Sequence, residues 1–253
     1  MIGVYFSGTG NTKHCVEKLV KGLDENALVF ALENKATLNA IRNSEMIFFG
    51  YPVQYSNLSK IVRDFIINNA NIFYGKKIFI ITTMGLFSGD GAGLSARLFR
   101  KYGATILGGL HIKMPDCIGD VKVLKRPLQV NKQIVVNADA KIDKAIAEIK
   151  NNRYPKEGIN LLYHLAGLFG QRLYFYSKTQ KYYTKIKVDN AKCVKCGLCA
   201  NLCPMSNINI TDSSIIFCGK CTMCYRCFSH CPQKAITIIG KKVIEQSKYE
   251  NYK

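Results

Sequence analysis

The chain has no tryptophan, only six prolines and four histidines, and just 17 Asp and Glu against 36 Lys and Arg. That shortage of acid leaves a formal net charge of +19, which suits acidic partners, nucleic acid or an anionic membrane and says nothing about fold. No helix-turn-helix or zinc-finger pattern accompanies the charge, so nucleic acid is not the expected partner. No apolar run reaches the roughly 18 residues of a membrane span, so no transmembrane segment is expected. Met1–Phe6 has no basic segment ahead of it and runs into a glycine loop, unlike a secretory signal; Gly3 does not directly follow Met1, as a myristoylated glycine must. The expected location is therefore cytoplasmic, where thiols stay reduced. Hydrophobic residues make up 48% of the 253, enough to bury a core and to argue against wholesale disorder.

What the chain has in plenty is cysteine, eleven in all, and in a reducing compartment that points to metal or redox chemistry rather than disulfides. Only Cys15 and Cys117 precede residue 190; the other nine fall between Cys193 and Cys231. Two composition regimes predict two domains, residues 1–152 and 185–253, joined by an apolar helical connector over 153–184. Within the connector, Ile159–Tyr176 is apolar nearly all round, broken by His164, Gln171 and Arg172, and reads as a helix buried between the domains.

Residues 1–150 alternate strand and helix patterns. Strands are expected at Ile2–Phe6, Ala27–Leu32, Met46–Gly50, Lys77–Thr83 and Ala104–Ile112. Helices are expected at Thr12–Gly22, Ala36–Arg42, Ser59–Asn69, Gly91–Tyr102 and Ala138–Asn151, the last capped by Asn137. Five β–α pairs with continuously apolar strands predict a doubly wound α/β fold: a five-stranded parallel sheet covered on both faces.

The strongest motif is Cys193-x2-Cys196-x2-Cys199-x3-Cys203-Pro204, repeated as Cys221-x2-Cys224-x2-Cys227-x3-Cys231-Pro232. Structural zinc, the competing reading, wants paired CxxC hairpins and no third cysteine two residues on. Cys218 also scans with Cys221 and Cys224, but only Cys227 stands correctly before Cys231-Pro232, so Cys218 is expected to be an unligated neighbour. Cys15 falls on an inward helical position, and Cys117 has no assigned role. With Ile186–Val188 before and Lys234–Ile238 after, residues 186–240 resemble a bacterial two-cluster ferredoxin, a small α+β domain. The resemblance implies two [4Fe-4S] clusters with crossed fourth ligands. Cys193, Cys196, Cys199 and Cys231 would hold one, and Cys221, Cys224, Cys227 and Cys203 the other.

Near the amino terminus, Ser7-Gly8-Thr9-Gly10-Asn11-Thr12 follows the first strand and opens the first helix. Three hydroxyls and successive backbone amides make a phosphate cradle. It is not a P-loop, since no Lys-Ser/Thr pair ends it, and position 13 breaks GxGxxG. Ser-x-Thr-Gly-x-Thr in this place resembles the phosphate loop of flavodoxins. That resemblance implies FMN, with Ser7, Gly8, Thr9, Gly10, Asn11 and Thr12 at its phosphate. The isoalloxazine would lie against Tyr51, Pro52, Val53, Gln54 and Tyr55 and against Thr83, Met84, Gly85, Leu86, Phe87, Ser88, Gly89 and Asp90. Tyr51, Tyr55 and Phe87 are the stacking candidates. Asp90 is the only acid in these loops, whereas many flavodoxins ring the flavin with acids, so a very low flavin potential is not implied.

Together the halves resemble flavodoxin–ferredoxin fusion proteins of anaerobes. The resemblance implies an electron-transfer iron–sulfur flavoprotein that couples two-electron and one-electron steps. Its partner would be an acidic carrier such as a ferredoxin or flavodoxin, steered by the basic surface. The competing reading is a flavin-dependent reductase of a quinone or unsaturated compound, with His111, Asp116 or Asp120 as proton source. A third is a redox sensor whose clusters govern partner binding.

Overall fold

The computed structural model describes residues 1–174, 184–211 and 214–253. Apolar runs become strands β1 (Ile2–Tyr5), β2 (Leu28–Ala31), β3 (Met46–Pro52), β4 (Lys77–Met84) and β5 (Thr105–Lys113). The helices after them are α1 (Asn11–Leu23), α2 (Thr37–Arg42), α3 (Lys60–Asn68), α4 (Gly91–Lys101) and α5 (Leu128–Lys150). All strand pairs are parallel, in the order β2-β1-β3-β4-β5. This is the flavodoxin-like doubly wound order, and its switch point lies between β1 and β3.

A separate apolar core covers each face. On one, Val16, Leu19 and Val20 of α1 meet Ile142, Ala145 and Ile149 of α5 over Phe48 and Phe79; on the other, α3 and α4 pack on Phe49, Tyr51 and Ile80. The register of β4 on β5 slips by one residue after Ile78, a bulge that leaves Leu107 unpaired. The open edge of β5 is covered by the strip after α5: Gly109 N–H donates to Pro155 O (2.8 Å) and Glu157 N–H to Gly109 O (2.9 Å).

One helix departs from expectation. α5 begins at Leu128, ten residues before the expected Ala138, behind Pro127, a residue well suited to a helix start because it has no N–H to lose. Its first turns expose Leu128, Val130 and Val136, so no apolar stripe betrays them. Asn137 is therefore not a cap but sits mid-helix, its Oδ1 accepting from Gln133 Nε2 at 3.0 Å.

The connector forms α6 (Leu161–Gly167), with Asn160 Oδ1 capping Tyr163 N–H, and continues as a π turn over Leu168–Arg172. It rests on the start of α4, where His164 Nδ1 is 2.7 Å from Asp90 Oδ2, and it leaves Leu162, Leu165, Phe169, Leu173 and Tyr174 exposed. Burial between the halves is therefore not found in the part described. The expected connector residues 175–183 lie outside the described residues.

The cysteine-rich half has two antiparallel pairs: β6 (Lys187–Val188) with β9 (Ile236–Thr237), and β7 (Ile208–Ile210) with β8 (Ile215–Phe217). Short helices Leu198–Asn201 and Arg226–His230 lie between the strands, and Ile186, Ile208, Tyr225, Phe228, Ile236 and Ile238 form the core. Three devices lock this half to the sheet domain. Buried Asp120 accepts from Tyr225 OH (2.9 Å) through Oδ1 and from the amides of Ile238, Ile239 and Gly240 (2.7, 2.9 and 3.0 Å) through Oδ2. Gly119 O accepts from the amides of Ile244 and Glu245. Tyr252 inserts into the α1–α5 core, so the segment after Lys248 packs back on the first domain.

Candidate functional site

The loop between β1 and α1 is held as a cradle. Gly10, at φ +93°, takes the left-handed turn that starts α1, a conformation that disfavours any side chain. The first-turn amides of α1 have no carbonyl of their own helix to bond and face outward at the positive end of the helix dipole. Gly10 N–H donates to Ser7 Oγ (3.1 Å), and Thr12 Oγ1 bonds Thr83 Oγ1 (2.7 Å), tying this loop to the end of β4. Of two hydroxyls sharing one bond, one keeps its proton to donate to an anion. Asn11 Nδ2 donates to Pro115 O (2.8 Å), while its Oδ1 is buried without a partner. Free amide donors beside an orphaned acceptor fit a ligand carrying both phosphate oxygens and hydroxyls, as FMN does.

This loop opens a cleft bounded also by Pro52–Tyr55 and Thr83–Phe87. Of the expected residues, Ser7, Gly8, Thr9, Asn11, Thr12, Pro52, Val53, Gln54, Tyr55, Thr83, Met84, Gly85, Leu86 and Phe87 line it. Gly10, Tyr51, Ser88, Gly89 and Asp90 do not. Tyr51 alternates to the other face of β3, fully buried, its hydroxyl on Gly91 O (2.6 Å) and Ser95 Oγ (2.7 Å). Of the three stacking candidates, only Tyr55 and Phe87 therefore reach the cleft. Asp90 is fully buried and paired with Arg97 (2.5 Å) and His164 (2.7 Å), so its charge is spent behind the loop.

Two walls of the cleft were missed. One is the β5–α5 crossing, with Met114, Pro115, Asp116, Cys117, Ile118 and Leu124. Topology could have found it, since every β–α loop emerges at the same sheet edge. Asp116 Oδ1 accepts from Ile118 N–H (2.8 Å), its Oδ2 lies against Gly85, and burial pushes its carboxyl above the usual range. Of the three proton-source candidates, Asp116 alone lines the cleft; Asp120 is spent on the domain joint, and His111 lies behind, bonded to Ser88 Oγ at 3.3 Å and pushed down to about 4 by burial. The other missed wall is Met223, Cys224 and Tyr225, from the second cysteine motif.

The cysteines gather around two cavities. Cys193, Cys196, Cys199 and Cys231 surround one, lined also by Val188, Leu198, Ile210, Ile215, Phe217 and Ile236. Cys203, Cys221, Cys224 and Cys227 surround another, with Pro204, Met205, Ile208, Tyr225 and Ile238. The fourth cysteine of each motif thus crosses to the other motif's cavity. Among the described residues no three metal-binding side chains converge on a point, as ligands of one ion do. Four thiols around one largely apolar cavity are the ligand set that a [4Fe-4S] cluster takes.

Amides of Asn207, Met223 and Ala235 each donate to Cys203, Cys221 and Cys231 Sγ respectively at 3.3 Å, the kind of bond that tunes a cluster's potential. Burial pushes Cys224 up to about 12, so taking up metal there must expel a proton. Cys218 lies outside both cavities, exposed, with Asn209 Nδ2 at 3.5 Å; Cys15 is buried in the α1 core, and Cys117 lines the cleft.

The two regions interlock. Gln54 Nε2 donates to Thr222 O (2.8 Å) and Met223 O (3.2 Å), and Arg226 Nη2 donates to Ser7 O (2.8 Å). Cluster loop and flavin-type loop thus form one continuous wall.

Residues 2–101 match the family model of the flavodoxin domain, and residues 186–209 match that of the 4Fe-4S binding domain. No curated protein matches the chain. Among solved structures, a two-electron reduced flavodoxin of Megasphaera elsdenii is 20% identical, covering 58% of this chain and 99% of its own, with a TM-score of 0.43. A Fusobacterium nucleatum flavodoxin bound to flavin mononucleotide is 19% identical over 60% of this chain and 98% of its own, TM-score 0.42. The Trp repressor binding protein of Bacillus subtilis is 16% identical over 57% and 96%, TM-score 0.43. Strand order, loop chemistry and the two family matches agree: the chain carries a flavodoxin domain followed by a 4Fe-4S binding domain, the composition of an iron–sulfur flavoprotein.

Proposed function

We propose that this protein transfers electrons between FMN and two [4Fe-4S] clusters within one chain. The observation that carries the reading is Cys224: it belongs to the second quartet and also walls the cleft that Ser7–Thr12 opens. FMN, when bound, exchanges electrons singly or in pairs, and each cluster exchanges one. Ser7–Thr12 would hold the phosphate, and Pro52–Tyr55 with Thr83–Phe87 the ring. The quartet with Cys224 is then the inner cluster. The quartet with exposed Cys196 is the outer one, where an acidic carrier protein would meet a basic surface. Domain limits follow the same reading: residues 1–152 for flavin, 185–253 for clusters, the segment after Lys248 returning to the first domain.

The test is anaerobic reconstitution, with iron and sulfide of about eight each per chain, followed by stopped-flow mixing with reduced ferredoxin. Flavin reduction at a rate independent of protein concentration supports the reading. With reduced ferredoxin held at a fixed saturating excess, a rate that still falls as this protein alone is diluted means transfer between chains and overturns it.

Asp116 favours one second reading. A buried carboxyl held toward its protonated form in the flavin cleft would suit proton delivery to a small substrate such as a quinone. Steady-state turnover with a quinone, abolished by Asp116→Asn while FMN stays bound, would establish it.

A further inference from the structure

Ser7–Thr12 contains no Lys or Arg, so an anion held there finds no cation in its own loop. The cation that touches this loop comes from elsewhere, and it touches a backbone carbonyl. Arg226, between Cys224 and Cys227, donates from Nη2 to Ser7 O at 2.8 Å and pairs with Glu33 Oε1 at 2.5 Å. Its Nη1 reaches Leu202 O (3.4 Å), its guanidinium lies 5.9 Å from the Phe6 ring centre, and the side chain is only 18% exposed. The contact therefore belongs to a fixed, partly desolvated arginine and not to a mobile surface one.

What that bond does follows from peptide geometry. In a trans peptide the carbonyl and the next N–H point to opposite sides. Drawing Ser7 O toward Arg226 turns Gly8 N–H to the other side. The next-but-one peptide is held alike: Tyr249 N–H donates to Thr9 O (2.8 Å), and Gly10 N–H, on the opposite side, meets Ser7 Oγ (3.1 Å). Two carbonyls that would repel an anion are thus drawn outward by groups from beyond residue 220. With those carbonyls turned away, the backbone N–H groups of the loop are left to the other side, as in the nests that attract anions.

We infer that Arg226 is a positioning residue for the flavin phosphate, and that through it loading of the Cys224 cluster and binding of FMN strengthen each other. The inference rests on the proposed cofactors. Its physical basis is that one loop, Cys224–Cys227, must be ordered to hold the cluster and also carries the guanidinium that orders the phosphate loop. Coupling of two binding events through a shared element is reciprocal, so each cofactor should retain the other.

The experiment uses cluster-loaded protein stripped of flavin and titrated with FMN, followed by quenching of flavin fluorescence. Arg226→Met should raise the FMN Kd roughly 10- to 100-fold, the loss of a charged hydrogen bond and its field, and Arg226→Lys should recover part of it. Iron content should stay at the unmutated level. In the reciprocal measurement on the unmutated chain, saturating FMN should slow iron loss to a chelator; in Arg226→Met the slowing should vanish. Arg226→Met with unchanged FMN affinity, or chelation rates indifferent to FMN in the unmutated chain, would overturn the inference. A cluster-loaded, unmutated chain that binds no FMN would overturn the flavin reading as well.

Discussion

A Cβ built on Gly8 would stand 1.8 Å from the carbonyl oxygen of Cys224, so the phosphate loop and the second cysteine motif meet backbone to backbone. No side chain larger than hydrogen fits between them. The approach makes the flavin cleft a joint product of both halves, with Gln54 and Arg226 stitching its two sides. A protein whose halves swung freely on a tether would not bury backbone against backbone here.

Gly8→Ala should therefore strain the joint. Rigid overpacking costs about 1–3 kcal/mol, and the added methyl meets backbone and not a yielding side-chain end. We expect a lower melting temperature together with weaker FMN binding. Calorimetry and flavin titration on the same sample check it, and an unchanged melting temperature would contradict the contact.

Thr12→Ala deletes the hydroxyl shared with Thr83 Oγ1. If this hydroxyl pair serves the phosphate, FMN binding should weaken by about 1–3 kcal/mol. Iron content should not change, which separates a phosphate contact from general unfolding.

The cysteines divide sharply. Cys218→Ala should keep about eight irons per chain, whereas Cys203→Ala or Cys231→Ala should each lower the count toward four by depriving one cavity of its crossed ligand. Chemical iron analysis with low-temperature EPR distinguishes the outcomes.

Asp120→Ala should loosen the two halves. It removes one carboxylate and strands the amides of Ile238, Ile239 and Gly240 and the Tyr225 hydroxyl in a buried joint. The expected cost is several kcal/mol in chemical denaturation, since each stranded group loses about 1–3. Proteolysis across the joint should quicken in step.

His111 predicts a pH effect. Burial holds its imidazole neutral down to about 4, below its ordinary 6.5. The unfolded chain then binds the proton first, so this group's contribution to stability is complete above pH 6.5 and is lost as pH falls toward 4. His111→Gln should flatten the stability profile across that window in urea titrations at stepped pH.

Much of this was written in short-range chemistry. The run Ser7–Thr12 specifies its turn through Gly10's left-handed φ and its donors through consecutive amides, all within six residues. The spacing of Cys193 to Cys203 and Cys221 to Cys231 likewise encodes which thiols can share a loop. Apolar strands repeated before amphipathic helices identify a covered parallel sheet, because such strands are stable only when buried on both faces.

Tertiary packing decided what those patterns could not express. Tyr51 and Asp90 sit in the expected loops yet turn into the core, since strand alternation and the Arg97 and His164 pairs, not loop membership, set their direction. Asn137 looked like a helix cap because the turns before it expose their apolar residues and leave no stripe. Asp116 and Cys224 stand 108 positions apart and wall one cleft, and Asp120 grips amides 118 to 120 positions away. Local residue order determines turns, ligand spacing and helix faces because those depend on neighbours along the chain. Which surfaces close over one another depends on shape and buried hydrogen bonds between distant segments, and these exist only once the chain has folded.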